Sequence, residues 1–203
     1  MDDIQRRTGR RPGDSGTRRA IIEAARAKFA ERGFEGATIR VIAQEAKVDP
    51  ALIHHFFRNK EGVFSAAIEE LLAPEILLPP VLAAGLDGLG ERLVHMFLGA
   101  WESDEDTREA LIATIRSAVS NSDAATLLQR YIISEFASRI APLIDREDFE
   151  LRASLVGSQL VGLVMLRYVA KVEPLASMDP DGVVDHIAPI LDHYLTEDLT
   201  RRP

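Results

Sequence analysis

The sequence contains no cysteine, which excludes a disulfide framework and any thiolate metal site. That absence fits a reducing, cytoplasmic setting. It also contains no Gly-rich phosphate loop, no G-x-S-x-G elbow and no H-E-x-x-H pair, so the common nucleotide-binding, serine-hydrolase and zinc-protease patterns do not apply. No segment alternates apolar and polar residues with a period of two, so no sheet is expected. The first twenty residues, MDDIQRRTGRRPGDSGTRRA, lack the apolar run of a secretory signal. The longest uncharged stretch is the 14 residues between Arg152 and Arg167. As a helix it would reach about 21 Å against a hydrocarbon core of roughly 30 Å, and Ser154, Ser158 and Gln159 add polarity. The expectation is a buried helix and no membrane span.

The net charge of −8 conceals a division. Residues 1–60 carry 13 Lys and Arg against 8 Asp and Glu, whereas residues 61–203 carry 11 against 24. A basic N-terminal third on an acidic body suits one surface for a polyanion and another that avoids it.

From Thr17 onward the apolar spacing is helical, and the expected fold class is all-α. Residues 1–16 read as a disordered basic arm. That arm is either a solubilising tail or, through Arg6, Arg7, Arg10 and Arg11, a source of extra DNA contacts. Ile21, Ala24, Ala25, Phe29 and Ala30 share one face of a first helix that Gly33 ends. Thr38 is a suitable cap for a second helix running to about Ala46. Asp49-Pro50 is a strong start signal for a third, to about Phe57, and Asn59 is placed to cap a fourth. Pro74, Pro79 and Pro80 break that helix, and five more are expected at about 86–102, 105–119, 123–141, 147–171 and 181–198.

A short helix, a tight turn and a second short helix is the geometry of a helix-turn-helix. The stretch TIRVIAQEAKVDPALIHHFFRNKEGVF resembles the DNA-binding segment of the TetR family of bacterial transcriptional regulators. The motif spacing T-I-R-x-I-A-x-x-A-x-V followed by F-x-x-K-E-x-x-F carries the resemblance, which covers residues 17–65. It implies an N-terminal helix-turn-helix domain, a helical effector-binding and dimerisation domain over 66–203, a palindromic operator, a homodimer, and an unidentified small-molecule effector. It implies no cofactor. Two positions depart from the usual pattern: Lys47 stands where glycine is common in the turn, and His54 where tyrosine is common in the third helix.

Carried over residue by residue, the resemblance places Thr38 as cap and phosphate contact, and Arg40 as a guanine reader or a phosphate contact. Ala51 and Leu52 offer apolar contact in the groove, His54 and His55 flank the backbone, and Lys60 clamps a phosphate. Lys47, Arg58 and Asn59 are weaker candidates. Ile53, Phe56 and Phe57 face the core through their i, i+3, i+4 spacing. The histidine pair does not suit a metal, because adjacent residues diverge by about 100° on a helix and no Cys, Asp or Glu follows at i+3 or i+4.

In the second domain Met96, Trp101, Met165 and Tyr168 are the candidate ligand-lining residues, although residues of these types are more often plain core. Ser154, Ser158, Gly162, Ile187, Leu191 and Tyr194 are the candidate dimer interface on the last two long helices. His186 with His193, and Asp185 with Asp192, repeat at seven residues. They read as a half-polar stripe of a dimer bundle more readily than as a metal or acid–base site. SDEDTRE at 103–109 is an acidic helix start, favoured by the helix dipole. Two other readings stay open on sequence alone: an effector-free architectural DNA-binding protein, and an enzyme with an incidental three-helix domain.

Overall fold

The computed structural model describes residues 12–144 and 146–199, and among these there is no strand. The expected arm residues Arg6, Arg7, Arg10 and Arg11 lie outside the described residues. Helix α1 (Pro12–Gly36) starts earlier than expected, so residues 12–16 of the supposed arm are helical. Gly33 interrupts it with φ 67° and ψ 178°, a conformation only glycine adopts freely. The chain then folds Phe34 back so that Phe29, Phe34 and Phe64 meet with centroids 5.0–5.9 Å apart. Ala30 is exposed, so the buried face of α1 is Ile21, Ile22, Ala24, Ala25 and Phe29, without it.

Helices α2 (Ile39–Ala46), α3 (Pro50–Phe57) and α4 (Lys60–Leu72) follow with their caps in place. Thr38 Oγ1 accepts the Val41 N–H at 3.3 Å, Asp49 Oδ1 accepts Ala51 at 2.7 Å, and Asn59 Oδ1 accepts Gly62 at 2.8 Å. Beyond them comes a helix the prolines had hidden, α5 (Pro74–Leu82). Pro74 occupies its first position, where the missing N–H is harmless. Burial of Leu78 and Val81 outweighs the disruption by Pro79 and Pro80.

Helices α6 (Leu89–Glu102) and α7 (Glu105–Ser120) agree with expectation. The next element is a composite: α8 (Ser122–Tyr131), a π-helical turn (Ile132–Ala137) and α9 (Ser138–Ile144). Helix α10 (Phe149–Val164) likewise widens into a π turn (Met165–Val169), and α11 (Pro180–Thr196) closes the chain.

Two main apolar clusters result. The N-terminal one gathers Ile21, Phe29, Ile42, Ile53 and Phe64, but also Ala124 and Tyr131 from α8. The head is therefore not packed by its own residues alone. The C-terminal cluster joins α6 to α11 through Leu93, Val94, Leu98, Val184, Leu191 and Leu195. Gly90 permits their close approach, since a Cβ there would lie 2.5 Å from the Ala188 carbonyl oxygen.

The apolar stretch before Arg167 is helical but not the buried helix expected. Phe149–Val169 is long and apolar enough to cross a membrane, yet only 17% of its most apolar window is buried within the chain. Leu163 and Val164 point inward, while Leu151, Val161 and Leu166 stand 54%, 46% and 45% exposed. The periodicity showed that the helix is apolar nearly all round, not which faces its own chain covers.

Candidate nucleic-acid interface

The head is a helix-turn-helix held by local chemistry. At the end of α2, Lys47 takes the left-handed conformation with φ 56°, as the missing glycine required. The Val48 N–H then closes on the Ala43 carbonyl at 3.0 Å, which completes the turn. A non-glycine residue there costs about 1 kcal/mol. The turn delivers Asp49-Pro50, and α3 starts in a fixed direction.

On α3, Ile53 and Phe57 are buried and Phe56 is half-buried, all on one side. Ala51, Leu52, His54 and His55 fill the opposite arc and are exposed. On α2, Ile42 and Ala43 are buried while Thr38, Arg40 and Gln44 are exposed. Each helix thus spends one face on the core and leaves the other, with the polar and basic groups, to solvent.

The expected backbone contacts behave differently from one another. His54 Nδ1 lies 2.8 Å from the Arg58 carbonyl oxygen, so it carries the hydrogen and donates it there. Arg58 itself is exposed with φ 68°. Arg18 of α1 sits with its guanidinium 5.4 Å from the Phe57 ring centroid, a basic group beside α3 that the sequence reading did not single out. Lys60 turns towards its own domain. Its Nζ donates to the Phe34 carbonyl at 3.0 Å, lies 4.2 Å from the Phe34 ring centroid, and is 3.8 Å from Glu35 Oε2. Lys28 pairs with Glu31 within α1 at 2.7 Å and ties α1 to α2 through Glu45 at 2.9 Å, and those hydrogen bonds raise its pKa.

Two family profiles match this chain: "Bacterial regulatory proteins, tetR family" over residues 21–67, and "Tetracyclin repressor-like, C-terminal domain" over residues 87–195. The chain belongs to the TetR family. It is a helix-turn-helix transcriptional regulator. The crystal structure of the TetR-family regulator SCO0857 from Streptomyces coelicolor is similar to it, with 42% identity, a TM-score of 0.71, and coverage of 92% of this chain and 98% of that one. The transcriptional regulator BetI of Brucella anthropi is 30% identical over 61% of this chain and 73% of its own length. The transcriptional repressor SCO4008 of Streptomyces coelicolor is 35% identical over 38% of this chain, a match that spans 41% of that protein.

In this TetR-family chain the residues singled out in the C-terminal domain scatter. Trp101 and Tyr168 are brought together, their rings stacked 5.2 Å apart at 10°. Met96 packs in the α6–α11 cluster, and Met165 is 36% exposed on the outside of α10. Leu191 is fully buried in its own chain and is not an exposed interface residue; Ile187 and Tyr194 are half-buried. A wide apolar stripe on α11 does not say whether α6 or a second chain covers it. Ser154 and Ser158 are exposed, and Gly162 has open space where a Cβ would stand.

The His and Asp pairs of α11 separate as well. Asp192 Oδ1 accepts the Gly90 N–H at 2.6 Å, which caps α6, while Asp185 and His186 are exposed. His193 pairs with Glu197 at 2.7 Å. Among the described residues no group of three His, Asp or Glu is arranged to hold a metal ion.

Three arginines that sequence reasoning missed fasten the body. Arg152, 1% exposed, donates to Asp148 and to the Tyr194 and Glu197 carbonyls at the end of α11. Its hydrogen bond holds the Asp148 carboxyl below the usual range. Arg92 donates to the carbonyls of Val81, Gly85 and Asp87. Arg167 joins Glu102 to the Leu175 and Met178 carbonyls, and Tyr168 Oη also donates to Glu102. Burial pushes the Tyr168 hydroxyl up to about 12. No sequence signal marks these roles, because most of the acceptors are backbone oxygens chosen by tertiary packing.

Proposed function

We propose that this regulator is a homodimeric repressor that reads a palindromic operator and is released from it by a small apolar molecule. The observation that carries the reading is the split of α2 and α3 into a fully packed face and an exposed polar face. On this reading residues 17–65 contact DNA. Arg40 reads a guanine, and Ala51 and Leu52 touch base edges. Thr38, Lys47, His54, His55 and Lys60 contact the backbone. Residues 66–203 bind the effector and form the dimer, and no catalytic role is assigned to any of them.

The exposed apolar side of α10 supports the dimer. Leu151, Val161 and Leu166, interspersed with Ser154 and Ser158, form the kind of face that a second copy buries. Ile190, 37% exposed, extends it onto α11 in place of Leu191. Arg152 and Arg167 lie buried among protein partners near the two ends of this helix, which favours a protein neighbour over lipid. The repressor reading is supported by the name of the relative SCO4008, and the effector reading by the match to the tetracycline repressor-like C-terminal domain.

The test uses a duplex selected by the protein from a random-sequence pool, titrated in the presence of a panel of apolar and cationic small molecules. A compound that both quenches Trp101 fluorescence and weakens duplex binding by about 5–150-fold supports the reading. A panel that alters neither quantity supports an effector-free DNA-binding protein instead.

A further inference from the structure

The junction between head and body has one polar contact that bears on DNA binding. Asn121 caps α8, its Oδ1 accepting the Ala124 N–H at 2.8 Å. That cap fixes the orientation of the side-chain amide, whose Nδ2 then points away from α8 and donates to Glu35 Oε1 at 2.6 Å. Glu35 lies at the end of α1, and its other oxygen stands 3.8 Å from Lys60 Nζ, too long for a hydrogen bond. Lys60 spends a hydrogen on the adjacent Phe34 carbonyl instead. One turn further along α8, Ala124 is fully buried in the head's own apolar cluster, with Leu127 and Leu128 packed against it. A displacement of α8 therefore moves both the amide that holds Glu35 and the apolar surface beneath the head.

We propose that Asn121, Glu35 and Lys60 form the contact through which the C-terminal domain sets the head's grip on the DNA backbone. Asn121 holds the Glu35 carboxylate off Lys60. With the amide in place, the Glu35 contact of Lys60 stays long at 3.8 Å, and its hydrogen bond goes to a neutral carbonyl, which a phosphate displaces readily because its charge-assisted bond is stronger. When α8 shifts, Glu35 is released, closes on Lys60 and competes with the phosphate for it. The inference rests on the reading of Lys60 as a phosphate contact and adds the means by which that contact is regulated.

The test is a set of duplex affinities on the pool-selected sequence for the full-length protein. The set comprises wild type, Asn121→Ser, Glu35→Gln, Lys60→Gln, and Asn121→Ser in each of the latter two backgrounds. Serine retains the N-cap of α8 and carries no charge, and circular dichroism verifies the helix content of each variant. Asn121→Ser should weaken binding about fivefold, near the upper limit for an exposed ion pair and the lower limit for a coupling between sites. In the Glu35→Gln and Lys60→Gln backgrounds it should change nothing further. Wild-type affinity in Asn121→Ser, or the same loss in all three backgrounds, overturns the relay and leaves the proposed function standing. If Lys60→Gln alters neither affinity nor its salt dependence, the phosphate reading of Lys60 falls and the relay falls with it.

Discussion

His54 donates its Nδ1 hydrogen to the carbonyl of Arg58, 2.8 Å away, and only its Nε2 remains to meet DNA. In the neutral imidazole that nitrogen carries a lone pair and repels a phosphate; only the protonated ring donates from it. Duplex binding should therefore take up a proton, and the protonated form should be favoured in the complex. Affinity should fall as pH rises through neutrality. His54→Gln should flatten the profile, measured at constant ionic strength. A flat wild-type profile would make the histidine a spectator.

Arg40 is exposed at the start of α2, and its proposed task is base reading. Arg40→Ala should cost about 1–3 kcal/mol on the selected duplex and relax preference at one base position. On a scrambled duplex the loss should be smaller. Equal losses on the two duplexes would reduce Arg40 to a phosphate contact.

Two glycines of α6 should respond in opposite directions to the same change. Gly90 faces the Ala188 carbonyl and Asp192 at 2.5 and 2.8 Å from a virtual Cβ, whereas Gly99 has nothing within 4 Å. Gly90→Ala should force α6 from α11 and lower stability by about 2 kcal/mol. Gly99→Ala should raise stability by up to about 1 kcal/mol through helix propensity alone. Thermal unfolding of the two variants beside wild type reads the difference.

The head was more legible in the sequence than the body, for a physical reason. Thr38, Asp49-Pro50 and Asn59 act within three residues of themselves, so their capping could be inferred from order alone. Lys47 takes the positive φ that its place at the family's usual glycine implied. Long-range choices left no such trace. The apolar stripe of α11 did not reveal that α6 buries Leu191, and nothing near Lys60 announced the Phe34 carbonyl, 26 residues earlier. Ala124 and Tyr131 join the head core from far beyond residue 65, where the sequence placed the end of the head, which local patterning could not show. Helix α5 was missed because proline was read as a breaker where packing of Leu78 and Val81 decides.

Gly162 lies on α10 with open space before it, in the face assigned to the second copy. Gly162→Arg should fold with unaltered helix content yet sediment as a monomer at micromolar concentration, because a buried unpaired charge opposes association. A variant that remains dimeric would move the interface elsewhere, while a monomeric wild type would remove it.

The most direct test of the central claim, that paired α2–α3 units read one operator, is selection of duplexes from a random-sequence pool by the wild-type protein followed by sequencing. The expected result is an enriched motif of two inverted half-sites, centred about one helical turn or more apart, that disappears with Gly162→Arg. Enrichment of a single unpaired motif, or of none, would contradict the account.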